Sequence, residues 1–205
     1  MPAATPEVLS DLSRFGLLLK QDKELPCVVT ILVGEPLATS WWSHPKSHDI
    51  FRILTQIAAH PDVLLTKLLC GKDTLVHRTL WPAFLAVATC GESWQTQRLS
   101  TAARQLLRRT IQEKAPLPSV GAPVRELAVR LLVHTAEVHM PGGAHRLTVS
   151  TWSSWAAQAG VTPLSSSSHA RQQLEAACQS LGAPLAALPW YTQPRTRGAS
   201  GPLSS

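Results

Sequence analysis

The sequence predicts a mixed α+β fold, predominantly helical, with one β-hairpin and two lobes packed into one body. Three observations carry this expectation. Apolar residues recur at helical spacing along much of the chain, beginning with Val8, Leu12, Phe15 and Leu19 at steps of four, three and four. Two extended apolar runs, 63–69 and 74–78, flank a turn containing Gly71. The stretch 114–123 holds three prolines and a glycine, the composition of a linker. The expected organisation is therefore one globular domain over 6–191, its lobes 6–113 and 124–191 joined at 114–123. A tail over 192–205 has almost nothing to bury and is expected to be disordered. At 205 residues and 44% hydrophobic content the chain is long enough for a real core and too apolar to be disordered throughout.

Each element has its own signal. Thr5 and Pro6 can open a first helix as cap and first residue, and Pro26 ends its pattern. Residues 27–33, β-branched and bounded by proline and glycine, favour a short buried strand, although a buried helical turn has the same composition. A second helix is expected from Ser43-His44-Pro45 to about Ala59, with Ile50, Phe51, Leu54, Ile57 and Ala58 on one face. If Gly71-Lys72 is the tip of the hairpin, Leu69 opposes Thr74, Lys67 opposes Val76 and Leu65 opposes Arg78. Trp81-Pro82 starts a short helix to about Thr89, and Ser100 caps a longer one to about Glu113. Beyond the linker, Pro123 opens a further helix, 147–159 reads as helical with Trp152 and Trp155 on one side, and a last helix covers about 169–181. No internal repeat is visible.

With 19 Lys and Arg against 13 Asp and Glu, the chain carries a net +6, and the excess is concentrated in residues 61–114, where eight basic groups face four acidic ones. Such a patch fits a polyanionic partner, and it also fits a domain that merely stays soluble. Cys27, Cys70, Cys90 and Cys178 are scattered, with no C-x-x-C pair, as buried thiols of a reducing compartment would be. No basic leader and no uncharged apolar run of roughly 18 residues is present, so the expected location is the cytoplasm, with no membrane partner.

Several strings carry a resemblance: Gly34-Glu35-Pro36 with Ser40-Trp41-Trp42-Ser43-His44-Pro45, then Lys67-Leu68-Leu69-Cys70-Gly71-Lys72 with Val76-His77-Arg78-Thr79-Leu80-Trp81-Pro82-Ala83. Together with Glu137-Val138-His139, Gly143-Ala144-His145, Trp152, Trp155 and Leu188-Pro189-Trp190, these make residues 25–190 similar to a recurring type of bacterial protein. The resemblance implies no activity.

Familiar catalytic motifs are absent from the sequence. Gly71-Lys72 lacks the earlier glycine of a phosphate loop, with Thr66 in its place, and Asp73 stands where Ser or Thr would bind magnesium. No G-x-S-x-G elbow or H-E-x-x-H pair occurs, and neither a metal nor a cofactor is expected. His44 and His48 are four apart, but Pro45 places His44 ahead of the helix. Glu137 and His139 share a face only if their segment is extended. Trp41 and Trp42, as neighbours in an element, should point different ways, leaving one at a rim or seam.

These readings lead to three expectations. The first is a non-enzymatic protein that binds DNA or RNA through a winged-helix-like basic face, with Lys67, Lys72, Arg78, Arg104, Arg108 and Arg109 touching phosphates. The alternative is a hydrolase-like enzyme with an inter-lobe site built from His44, His77, Glu137, His139 and His145. The third is a scaffold or interaction protein without chemistry.

Overall fold

The computed structural model describes residues 4–113, 115–139 and 145–191; the expected tail over 192–205 lies outside them. The fold is α+β and mostly helical. Helix α1 (Ala4–Phe15) buries Val8 and Leu12, and Thr5, expected as its cap, lies within it and is buried. Gly16 adopts φ 76°, where a side chain would be strained, and returns its N–H to Leu12 O at 2.8 Å. The chain then enters strand β1 (Leu17–Leu19), all three residues buried, so Leu19 leaves the helical stripe the sequence suggested.

Residues 27–33 are not a strand. Val28–Val33 form helix α2, because Cys27 caps it by accepting from Thr30 N and Gly34, at φ 92°, closes it onto Thr30 O. Caps at both ends and burial of Val28 and Val29 override the β-branched composition. Helix α3 (Ser47–Ala58) buries Ile50, Ile53, Leu54 and Ile57. Strands β2 (Val63–Lys67) and β3 (Asp73–His77) complete a sheet of order β1-β3-β2, antiparallel throughout.

The register of this hairpin differs from the expected one. Lys67 opposes Asp73, Leu65 opposes Leu75 and Val63 opposes His77. An odd shift of three places Lys67 and Leu75 on the same face, where the expected pairing had put them on opposite faces. The reason is the connection, which runs over residues 68–72 instead of a two-residue tip. Leu68 and Leu69 fold inward to full burial, and Leu69 N donates to Thr74 Oγ1 at 3.1 Å.

Helix α4 (Trp81–Ala88) is apolar nearly all round and buried accordingly. A one-turn helix α5 (Ser93–Thr96), unforeseen, is held by a capping box between Glu92 and the buried Gln95. Helix α6 (Thr101–Gln112) is capped as expected, Ala103 N donating to Ser100 Oγ at 3.1 Å. The proline-rich stretch is not wholly irregular: Leu117–Pro118 form an edge strand β4. After α7 (Ala122–Val129) come strands β5 (His134–His139) and β6 (His145–Ser150), in a second antiparallel sheet of order β4-β6-β5. The helix expected over 147–159 thus begins only at Trp152, as α8 (Trp152–Ala159), with residues 145–150 drawn into the sheet. Helix α9 (Ser167–Ser180) packs against α4.

There are therefore two small sheets where the sequence suggested a single hairpin. Their layouts also recur: helix, short strand, helix, hairpin, with the last strand central both times, although the first unit carries an additional helix before its hairpin. The main core runs from Val8 to Leu188 and takes in Leu131 and Trp152, while a smaller cluster of Leu99, Ala103, Val124, Leu127, Val133 and Val149 lies between α6, α7 and the second sheet.

Candidate nucleic-acid interface

The six basic residues singled out by sequence fall into two groups that differ in what surrounds them. On the first hairpin, Lys67 Nζ lies 2.6 Å from Asp73 Oδ1, Lys72 Nζ 2.6 Å from Asp22 Oδ2, and Arg78 Nη1 2.9 Å from Asp62 Oδ1. Lys20 also approaches Asp73, at 3.7 Å. Hydrogen bonding to Asp22 raises the Lys72 pKa. Burial opposes ionisation of Asp22, but Lys72 and the amides of Glu24 and Leu25 outweigh it and hold the carboxyl below its ordinary value. The hairpin cations are thus each paired with a carboxylate of the same chain, although Lys72 and Arg78 remain half or more exposed. Asp22 and Asp62 are 50 and 16 residues from their partners, separations at which no sequence pattern reveals a pair.

On α6 the position is different. Arg104, Arg108 and Arg109 are all exposed. Arg104 lies within electrostatic reach of Glu126, whose carboxylate accepts from Ser100 N at 2.9 Å. Arg108 and Arg109 have no carboxylate partner among the described residues. Residues 93–150 hold eight Lys and Arg against three Glu, so this part carries most of the chain's net positive charge. Exposed Arg125 on α7 and Arg146 on β6 belong to the same unit.

The first hairpin's tip is also not free. Gly71, at φ 65°, sits so close to Val129 of α7 that an added Cβ would come within 3.1 Å of Val129 Cγ1. Lys72 faces Asp22 beside this contact.

Among the described residues, no three His, Cys, Asp or Glu side chains stand together so as to hold a metal ion. His44 ends a 3-10 turn ahead of α3 and accepts from Lys46 N through Nδ1, so it shares no helical face with His48. His77 ends β3 and pairs with Thr79 Oγ1 at 3.0 Å; burial lowers its pKa, with Asp62 opposing. Glu137 lies exposed on the extended strand β5, two residues before His139. His139 pairs with His145 in the strand register, and the side chains of both lie outside the described part.

Two features of this surface were not legible in the sequence. Trp41 and Trp42 do not diverge: they stack on one another, with ring centroids 3.9 Å apart and planes at 26°. Trp41 is 4% exposed and Trp42 62%. The second feature is His134, which the sequence did not single out. It lies half-buried against Trp152 and Trp155, with Nδ1 3.3 Å from Ser150 Oγ, and its desolvation pulls its pKa down to about 4.

No helix of the described residues is long and apolar enough to cross a membrane. No protein-family model, curated protein or solved structure matches the chain.

Proposed function

We propose that the chain is a non-enzymatic nucleic-acid-binding protein that holds a phosphate backbone through the cationic side of its second unit. The observation that carries this reading is the pairing state of the cations. Those of the first hairpin are bound to Asp73, Asp22 and Asp62, whereas Arg108 and Arg109 on α6 are exposed and unpaired among the described residues. Unpaired guanidinium groups on a helix surface can release counterions from a polyanion at no cost to an internal bond.

The recurring layout supports the same reading. Helix, strand, helix and hairpin resemble a winged-helix module, in which a helix meets a groove and the hairpin touches the backbone. The tip of the first hairpin faces Val129, so the outer contact falls to the second, with exposed Arg146. The four cysteines are unpaired thiols, which accords with a reducing compartment such as the cytoplasm.

Fluorescence anisotropy with a labelled duplex tests the proposal. Affinity should fall with salt along a log–log slope of about −0.9 per phosphate neutralised, and Arg108→Glu with Arg109→Glu should flatten that slope by one to two contacts' worth. Lys67→Ala and Lys72→Ala should leave it unchanged. Absence of binding at about 50 mM salt would overturn the reading.

A further inference from the structure

We infer that Trp42 is a stacking platform for an unpaired nucleobase, a proposal that rests on the nucleic-acid reading and adds a second, chemically distinct contact to it. The ring is presented by a 3-10 turn, Trp41–Ser43, whose start is capped by Ser40 and whose end is tied by His44 N donating to Trp41 O at 3.0 Å. Trp41, buried, forms the floor; Trp42 stacks on it and remains 62% exposed. Phe51, on the first turns of α3 and itself 37% exposed, leans toward Trp42 with centroids 5.8 Å apart and planes at 37°. The indole plane is therefore fixed before any ligand arrives, and little conformational freedom is left to lose on stacking.

The surroundings select the occupant. Residues 36–48 contain no carboxylate, and Lys46 and His48 are exposed beside the turn. Arg52, one turn further along α3, is exposed as well, with Asp49 as its partner at 3.3 Å. An exposed aromatic face with Lys46 and His48 exposed a few residues further along the chain suits a base with its phosphate alongside: the base covers the ring and the ammonium meets the charge. The base must be unpaired, because one within a duplex has both faces occupied by its neighbours. This is a different site from α6, which needs only phosphates and does not distinguish paired from unpaired strands.

The test compares a single-stranded oligonucleotide carrying 2-aminopurine with a blunt duplex. Stacking on Trp42 should quench the 2-aminopurine emission, and Trp42→Ala should abolish the quench and weaken single-strand affinity about tenfold, leaving duplex affinity unchanged. Trp42→Tyr, which keeps a flat ring, should retain most of both signals, and Lys46→Glu should weaken single-strand binding while the fold, read by its melting curve, is untouched. If Trp42→Ala does not fold, quenching by the unmodified protein and its response to Lys46→Glu decide the matter. Unquenched emission with salt-dependent binding intact would overturn this site and leave the role of α6 standing; failure to bind any nucleic acid would remove both. A protein that sediments as a dimer and becomes monomeric on Trp42→Ala would show that the ring serves self-association, which would also overturn the proposal.

Discussion

Trp152 donates its indole N–H to the carbonyl oxygen of Leu131 at 2.9 Å, and Leu131 offers that oxygen from a left-handed backbone at φ 54°. The strained turn after α7 is thus tied to the first residue of α8, while the Trp152 ring meets Phe84 of α4 edge-on at 4.8 Å. One side chain joins the second unit to the main core.

Trp152→Ala should therefore destabilise the protein by about 3–5 kcal/mol, the range for deleting a large buried aromatic. Trp152→Phe keeps much of the apolar area but leaves the Leu131 carbonyl without its donor, and should cost about 1–3 kcal/mol. Urea denaturation of the two variants separates the ring from the hydrogen bond. Equal losses would show that the bond dominates.

Stability should fall as pH drops from about 6.5 toward 4. Burial holds His134 neutral in the folded state down to about 4, whereas an exposed histidine protonates near 6.5. Between these values the unfolded chain binds the extra proton, so unfolding is favoured by about 1.4 kcal/mol per pH unit, roughly 3 kcal/mol in all. Above 6.5 the group contributes nothing. His134→Phe should flatten this limb in a series of thermal melts; an unchanged limb would assign it to other groups.

Asp22 and Lys72 should respond unequally to removal. Lys72 is half exposed, and without it Asp22 still accepts from Glu24 N at 3.0 Å and Leu25 N at 3.1 Å, so Lys72→Ala should cost about 1 kcal/mol at most. Asp22→Ala releases all three donors and should cost about 1–2 kcal/mol. Because the Asp22 pKa is depressed in the fold, its contribution is present above the ordinary carboxylate value and lost as pH falls below it.

Proteolysis within residues 114–123 should not yield two independently folded halves. Leu131 and Trp152, from beyond that stretch, share the main core with Val8 and Phe84. The cut chain should co-elute as one species and melt in a single transition. Two separable, folded fragments would contradict this.

The sequence reveals helix starts well where a cap precedes an apolar stripe, as at Ser100, or where a proline stands in the first turn, as Pro82 does. It is less informative where tertiary contacts decide. Residues 27–33 look like a strand by composition, and only the Cys27 and Gly34 caps make them a helix. Residues 145–150 carry apolar groups compatible with either period, and pairing with β4 and β5 settles them as a strand. The hairpin register turned on Leu68 and Leu69 folding inward, which depends on what lies beneath them. In the candidate interface, residue types on α6 were readable from spacing alone. The pairing of Lys72 with Asp22 was not, nor was the stack of Trp42 on Trp41, which is set by side-chain rotamers that residue spacing does not reveal.

The span of the core from Val8 to Leu188 has a consequence for synthesis. Helices α1 and α4 emerge from the ribosome before α9, which packs on both of them. The apolar side of α4 therefore waits uncovered while residues 89–166 are made, and contacts of such long sequence separation form slowly. A nascent chain stalled before α9 would expose that surface to chaperones and proteases.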